Sequence, residues 1–385
     1  MTLLEITAVP FSYIHSGGGE RYPTEMIRAL SKIEKVTGCY SSDQWIKILE
    51  GDVLIPAKFI RIEPFISYSN PIPTLKSLLV IRNVIQSNIR DIEFIHIHNL
   101  RTAMSTAWLF IAKLLKGSGI KVILTDHNAR FFPFPRLSVS AVDYYAPVSN
   151  FSNQILQSYS RRPFRIFPIP VSSNLITNSE IKSVDHRDID LLYLGRLVPW
   201  KAPDRIIQIV RYLKANGFPK ISAVIAGRIM NKEYYALLVN MVVKYGLGDN
   251  IKFIISPDDK AVTDLYSNSK FHILLSTTVD VYGNKHKSPE LSPTTIAEAG
   301  VFGTPSIVSL SPGISEQVVN GITGYIATDN DIQSTSKLVR DALLSLEKWD
   351  VMSKQVYNLM KVERNPAKIA SDFKIYLDDI RAGRV

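Results

Sequence analysis

The stretch Ser288-Pro289-Glu290-Leu291-Ser292-Pro293-Thr294-Thr295-Ile296-Ala297-Glu298-Ala299-Gly300-Val301-Phe302-Gly303-Thr304-Pro305 sets two glutamates eight positions apart around a Ser-Pro pair. Ser292 suits an N-cap and Pro293 the first helical position. The spacing predicts a helix over about 293–302, stopped by Gly303 and Pro305. Glu290 then stands in the loop before the helix, and Glu298 about a turn and a half inside it. The free N–H groups and partial positive charge at the helix start suit a phosphate, held near Ser292, Pro293 and Thr294. A carboxylate on each side suits a ligand with hydroxyls at both ends and a diphosphate in the middle, which is the shape of a nucleotide sugar. Taken alone, the same residues also describe an ordinary capped helix with two surface glutamates.

A second stretch supplies cations. Apolar Leu191 to Leu194 runs into Gly195-Arg196-Leu197-Val198-Pro199-Trp200-Lys201-Ala202-Pro203-Asp204, followed by a helix to about 215. Arg196 offers a planar fork to phosphate oxygens and Lys201 a mobile point charge. Placed after the first strand of a nucleotide-binding unit, the two would neutralise a leaving diphosphate. Elsewhere they would be solvated surface cations.

Outward from these stretches, apolar strand-like runs alternate with helical patterns, which implies parallel sheets with helices on both faces. In the first half, strands are expected at about 3–9, 35–40, within 53–66, and at 94–98, 121–126, 144–149 and 164–171. Helices are expected at 20–31, 74–87, 103–115 and 150–159. Gly17, Gly18 and Gly19 between the first strand and helix let a backbone approach a ligand. Gly17-x-Gly19-x-x-Pro23 lacks the third glycine of a dinucleotide fingerprint, which disfavours a nicotinamide oxidoreductase. Ligand-facing residues in open α/β sheets lie at the carboxyl ends of strands, where His98 and His127 fall. Each also reads as a hydrogen-bonded structural histidine. Arg130 to Arg136 sets Phe131, Phe132 and Phe134 among prolines, either as a buried loop or as an exposed lip for a lipid-linked acceptor or a bilayer.

Ser172 to Asp188 is polar and patternless and reads as a linker. In the second half, strands are expected at 191–194, 221–226, 251–255, 271–276 and 306–309, with helices at 233–245 and 261–267. Thr277 to Ser288, with Tyr282, Gly283, Lys285, His286 and Lys287, is a flap or a surface insertion. A last helix at about 366–382 is expected to cross back onto the first domain.

The 385 residues allow two or three domains. A 46% hydrophobic and 21% charged composition is that of a globular chain. A lone cysteine, Cys39, excludes an internal disulfide framework and a cysteine metal cluster. Leu3 to Val9 carries Glu5 and does not read as a signal peptide, and Ala103 to Leu115 is too short to span a bilayer. A cytoplasmic protein, soluble or peripheral on the membrane, is expected. The net charge of +10 divides as +7 over residues 1–184 and +3 over the rest. That excess suits an anionic membrane or an acidic substrate. Without a basic run or a recognition motif, nucleic acid is not an expected partner. Asp188/Asp190 and Asp329/Asp331 form Asp-x-Asp pairs, but away from the phosphate motifs, so no required metal or other cofactor is expected.

The Glu290–Glu298 spacing with Ala299-Gly300-x-x-Gly303-Thr304-Pro305, together with Gly195-Arg196-Leu197 through Lys201 and Asp204, resembles the family 4 retaining glycosyltransferases. The resemblance runs in order along nearly the whole chain and includes Glu316, Gly321 and Gly324. It implies a GT-B fold: two Rossmann-like α/β domains with parallel sheets facing across a cleft. These would be an acceptor domain at 1–184, completed by the helix at about 366–385, and a nucleotide-sugar donor domain at 185–365. It implies transfer of a sugar, with retention, from a nucleotide-diphosphate sugar to a glycan or lipid-linked acceptor in cell-envelope, glycolipid or protein-glycan synthesis. By the same resemblance, Gly18, Gly19, Arg196, Lys201, Ser292, Pro293 and Thr294 would lie at the donor diphosphate, and Glu298 at the ribose. Glu290 and His127 would meet the transferred sugar, and Gly227, Arg228 and Ser256 would lie near the donor or its base. His98, Phe131 and Phe132 would face the acceptor. The chain departs from the family pattern at Ala202 and Ser256, where a glycine is usual, and at Pro168-Ile169-Pro170-Val171. A sugar-nucleotide epimerase of the same fold and a non-catalytic sugar-nucleotide binder are the alternatives.

Overall fold

A computed structural model describes residues 2–7, 18–40, 58–61, 72–87, 90–98, 119–127, 136, 139–286, 290–328 and 331–385. The chain divides into two compact units, Met1–Ser172 with Arg364–Val385, and Ser173–Glu363.

The first unit holds a six-stranded parallel sheet of β1 (Thr2–Thr7), β2 (Val36–Tyr40), β3 (Lys58–Arg61), β4 (Ile92–His98), β5 (Lys121–Thr125) and β6 (Tyr144–Tyr145). Its order is β3-β2-β1-β4-β5-β6. Helices α1 (Gly18–Leu30), α2 (Ile72–Ser87) and α3 (Asn150–Tyr159) belong to the same unit. In α1, Tyr22, Met26, Ile27 and Leu30 recur at helical spacing and are fully buried. The expected strand at 144–149 stops at Tyr145. Pro147 interrupts it, and Ser149 caps α3, its hydroxyl accepting from the Ser152 N–H at 3.0 Å while the Ser149 N–H donates to Ser152 Oγ at 3.1 Å. The expected strand at 164–171 reduces to one bridge between Phe164 and Tyr145. Pro163, Pro168 and Pro170 remove the N–H groups a ladder needs. The expected helix at 103–115 lies outside the described residues.

The second unit repeats the topology. Strands β7 (Ile189–Leu194), β8 (Ala223–Gly227), β9 (Ile251–Ile255), β10 (Ser269–Leu274), β11 (Ser306–Ser309) and β12 (Gly324–Ala327) form a parallel sheet ordered β12-β11-β10-β7-β8-β9. The unit also holds α4 (Ser173–Thr177), α5 (Pro203–Ala215), α6 (Lys232–Lys244), α7 (Asp259–Ser267), α8 (Thr294–Gly300), α9 (Ile332–Leu344) and α10 (Trp349–Glu363). Both sheets thus have the doubly wound order, in which the chain reverses direction between two central strands. In the second sheet that reversal lies between β7 and β10.

The polar segment expected as a linker carries α4 and a short 3-10 turn, Val184–His186. It also buries Arg187. That guanidinium donates to the carbonyls of Tyr266, Ser269 and Phe302 and to Thr304 Oγ1, and it lies over the Trp349 ring at 4.5 Å. One side chain therefore ties α7, β10 and the end of α8 together. Burial lowers its pKa to about 10.

The last helix, α11 (Pro366–Arg381), belongs to the first unit. Ile369, Phe373, Tyr376, Leu377 and Ile380 form its buried stripe. Phe373 stacks on His96 at 4.9 Å, Tyr376 donates to the Tyr145 carbonyl at 3.1 Å, and Arg165 pairs with Asp379 at 2.8 Å.

Candidate active site

The two motif loops of the second unit leave the carboxyl ends of β7 and β10, on either side of the strand-order reversal. After β7, Gly195 meets the end of β8 backbone to backbone. Its N–H donates to Ala226 O at 3.0 Å, and a Cβ on Gly227 would stand 1.8 Å from Gly195 O. Gly227 itself has φ +145°, so only glycine fits there. The chain then makes a 3-10 turn, Pro199–Lys201, and Ala202 takes a left-handed φ of 51° before α5 begins. This is the position where the motif usually has glycine, and the backbone keeps a glycine-like shape without one. The same holds at Ser256, with φ 50° and its N–H donating to Gly227 O at 3.1 Å.

Lys201 is turned inward. Its Nζ lies 2.5 Å from Glu290 Oε1, with 9% and 12% of the two side chains exposed. The pair bridges the loops from β7 and β10 at the place where open α/β sheets take ligands. Ser276, just past β10, donates to Glu290 Oε1 at 3.4 Å. Two buried groups below feel the pair. His272 on β10 is pushed down to about 3 by burial and by the Lys201 charge, and its Nδ1 is 3.0 Å from Ser306 Oγ. The Tyr193 phenol is pushed up by burial and by Glu290, and it donates to Arg196 O at 2.8 Å. The Arg196 guanidinium is exposed and makes no hydrogen bond or ion pair among the described residues. Arg228 is also exposed, and its carbonyl accepts from the Leu197 N–H at 2.8 Å. Behind Lys201, Asp204 is buried and accepts from the Tyr234 hydroxyl. Burial raises its pKa.

The Glu290–Glu298 segment differs from expectation at the helix start. Pro293, with ψ 127°, is the N-cap, and α8 runs Thr294–Gly300, so Ser292 stands one residue outside the cap and makes no capping bond. Gln317 supplies the reason: its amide donates to Pro293 O at 3.0 Å and to Gly313 O at 3.4 Å, holding Pro293 in the extended loop. Gly313 lies so close to this loop that a Cβ would stand 2.4 Å from Leu291 O. The helix also ends earlier than residue 302. Gly303 adopts φ +66°, and the Thr304 N–H folds back to Ala299 O at 3.0 Å. Glu298 is buried inside α8 and accepts from the Tyr266 hydroxyl at 2.9 Å.

In the first unit, His98 ends β4 and is fully buried. Its Nδ1 is 3.4 Å from Nε2 of His127, which follows β5, and the two rings are nearly parallel, 12° apart. Tyr22 of α1 packs on both, at 5.5 and 4.8 Å. His96 is bound differently: Nε2 is 2.8 Å from Thr125 Oγ1, and that hydroxyl donates onward to Ala146 O, so His96 carries the proton on Nε2. Gly18 and Gly19 form the first residues of α1. Phe131 and Phe132 lie outside the described residues.

Of the Asp-x-Asp pairs, Asp190 is occupied by the Ser222 N–H and by Lys270 at 2.7 Å, and Asp331 caps α9 through the Ser334 N–H. Asp329 lies outside the described residues. Among the described residues, no group of three or more His, Cys, Asp or Glu side chains could hold a metal ion, and no helix is long and apolar enough to cross a membrane. Sequence reasoning did not reach Gln317, Tyr266 or Arg187. Gln317 alone had a signal, sitting beside Glu316 in the matched motif.

Residues 176–359 match the family model described as glycosyl transferases group 1. No curated protein sequence gives a match. Among solved structures, a glycosyltransferase from Rickettsia africae ESF-5 aligns with a TM-score of 0.77 at 16% identity, over 98% of each chain. Alr3699/HepE of Anabaena, solved in complex with UDP and glucose, aligns at 0.72 and 16%, over 98% of this chain and 100% of that one. Sucrose-phosphate synthase from Thermosynechococcus elongatus aligns at 0.72 and 13%, over 99% of both. The fold is GT-B. The family-model match, which spans most of the second unit of this GT-B chain, and the likeness in fold together support a sugar-transferring enzyme.

Proposed function

We propose that the chain is a retaining glycosyltransferase of the family 4 kind, moving a sugar from a nucleotide-diphosphate sugar to a glycan or lipid-linked acceptor. The observation that carries the reading is the buried Lys201–Glu290 pair at the strand-order reversal. A cation and a carboxylate held there, with exposed Arg196 on the same loop as Lys201, suit a ligand with a phosphate next to a hydroxyl-bearing ring. The Anabaena relative, solved with UDP and glucose, supports a donor of this class.

In this reading Lys201, Arg196 and the N–H groups near Ser292, Pro293 and Thr294 receive the diphosphate. Glu298, oriented by Tyr266, accepts from the ribose hydroxyls. Glu290 contacts the sugar, and Gly227, Arg228 and Ser256 flank the base. In the first unit, His127 is assigned to the transferred sugar, His98 to the acceptor side, and Gly18 and Gly19 to the diphosphate. The acceptor oxygen bonds to the anomeric carbon as the bond to the diphosphate breaks, on the same face. The acceptor proton passes to the leaving phosphate oxygen. Lys201, held by Glu290, is in place before the reaction, and with Arg196 it would stabilise the charge that develops on that oxygen. In this reading the two glutamates are not a hydrolase pair, because the diphosphate site lies between them.

Calorimetric titration with UDP, GDP and ADP and their sugars, without metal, tests the reading. One base is expected to bind, with Glu298→Ala weakening the nucleoside diphosphate and Glu290→Gln retaining it while abolishing transfer. Failure of every nucleotide to bind folded protein would refute it. Product analysis with donor alone separates transfer from epimerisation.

A further inference from the structure

Residues 277–286, between β10 and Glu290, form a hairpin. Val279 and Lys285 bridge in antiparallel fashion, and the His286 N–H donates to Thr278 O at 2.7 Å. Its centre is Asp280, whose side chain is only 2% exposed. Asp280 Oδ1 accepts from the N–H groups of Tyr282 and Asn284, at 2.9 and 3.0 Å. Oδ2 accepts from the Asn284 amide at 3.2 Å and from His286 Nε2 at 2.9 Å. Burial alone would raise the Asp280 carboxyl, but these bonds, led by that from His286, outweigh it and hold it below the usual carboxylate range.

This hairpin is fastened to the residue before Lys201. The Thr277 N–H donates to Trp200 O at 2.8 Å, and the His286 ring stands 5.3 Å from the Trp200 ring. At its base, Ser276 bonds Glu290. One hairpin thus reaches both members of the buried pair, Lys201 through Trp200 and Glu290 through Ser276.

We propose that His286 is a positioning residue: by joining Asp280 to the Trp200 ring, it locks the hairpin so that Lys201 and Glu290 keep the spacing the leaving diphosphate requires. The catalytic part of this inference rests on the functional reading above; the mechanical link does not. Groups that act on charge developing in the transition state affect kcat more than substrate binding, and a displacement of about 1 Å costs about 100-fold.

The test compares His286→Ala with His286→Gln, which keeps an N–H for Asp280. Hydrogen–deuterium exchange reads the link without any activity. Uptake at 199–201 and 277–286 is expected to rise in His286→Ala, to return towards wild type in His286→Gln, and to stay unchanged in β11 and α9. With the donor found by titration, kcat is expected to fall about 10-fold or more in His286→Ala, with donor KM within about 3-fold, and to recover mostly in His286→Gln. Unchanged uptake at 199–201 in His286→Ala overturns the link, and a kcat within about 2-fold of wild type overturns the positioning role. A kcat loss that follows a lowered Tm equally in both variants overturns the positioning role. A wild-type chain that turns over no donor refutes the functional reading instead, and the exchange arm still decides the link.

Discussion

Removing one member of the Lys201–Glu290 pair should destabilise the second unit severely, whereas removing both should cost far less than the sum. At 2.5 Å the gross attraction is about 7 kcal/mol at an effective dielectric of about 20. Desolvation of two charges at 9% and 12% exposure offsets most of it, so the net value of the intact pair is small. A single substitution leaves the other charge buried without its partner, at about 3–5 kcal/mol. Lys201→Met would leave the Glu290 carboxylate with Ser276 as its one remaining hydrogen-bond donor among the described residues. Glu290→Gln would leave the ammonium near His272, which burial keeps neutral. For a unit of this size, a loss of about 3 kcal/mol lowers Tm by roughly 6–12 °C. Calorimetric unfolding of Lys201→Met, Glu290→Gln and the double variant completes a cycle; with singles at about 3–5 kcal/mol and a double at about 1–3, the expected coupling is about 3 kcal/mol or more. Additivity within about 0.5 kcal/mol would refute the reasoning, because it would mean that the two charges do not sense each other in the folded state.

Other substitutions follow from the same geometry. Ser256→Gly should stabilise by about 0.5–1 kcal/mol in urea titrations, since left-handed strain of about 1–2 kcal/mol is relieved against an unfolded-state cost of about 0.4–1. Ala202→Gly should be nearly neutral in the same urea titrations, because its buried methyl contributes about 0.8 kcal/mol. Gly227→Ala should cost about 3 kcal/mol or more, read as a drop in the urea midpoint, since its Cβ would overlap Gly195 O. Tyr266→Phe should weaken nucleoside diphosphate binding several-fold by titration, through Glu298, without changing the affinity for pyrophosphate. His272 has a folded pKa of about 3, below its ordinary value of about 6.5, so the stability it confers is full above pH 6.5 and is lost as pH falls towards 3. His272→Asn should remove up to one proton of uptake from the unfolding titration over that window, and an unchanged pH slope would contradict the assignment.

The parallel α/β character of both sheets was legible in the alternation of strand and helix patterns, their two-Rossmann arrangement came with the family resemblance, and the motif loops were legible because their polar residues sit at fixed offsets from apolar strands. Gly195 to Asp204 is such a case. Ala202 and Ser256 were legible only as departures from a pattern; their left-handed backbones show that the main-chain shape outlasts the residue that usually makes it. The cap of α8 was misread because what holds Pro293 outside the helix is Gln317, 24 positions on. Tyr266 with Glu298, and Arg187 with Thr304, are likewise partners that meet only in the folded chain. No local period announces such pairs. The Lys201–Glu290 pair belongs with them: each residue was singled out for a ligand, and neither for the other.

The placement of α11 has a consequence for synthesis. Residues 364–385 complete the first unit but follow the whole of the second in chain order. A nascent chain therefore makes the sheet of the first unit long before the helix that covers His96 and Tyr145 exists. The second unit, continuous from Ser173 to Glu363, can finish folding while the first still waits for its closing segment. The Phe167 and His96 surfaces, which Phe373 covers in the finished protein, are open throughout that interval. The second unit can therefore be completed before the first, whose Phe167 and His96 surfaces wait for the last helix to cover them.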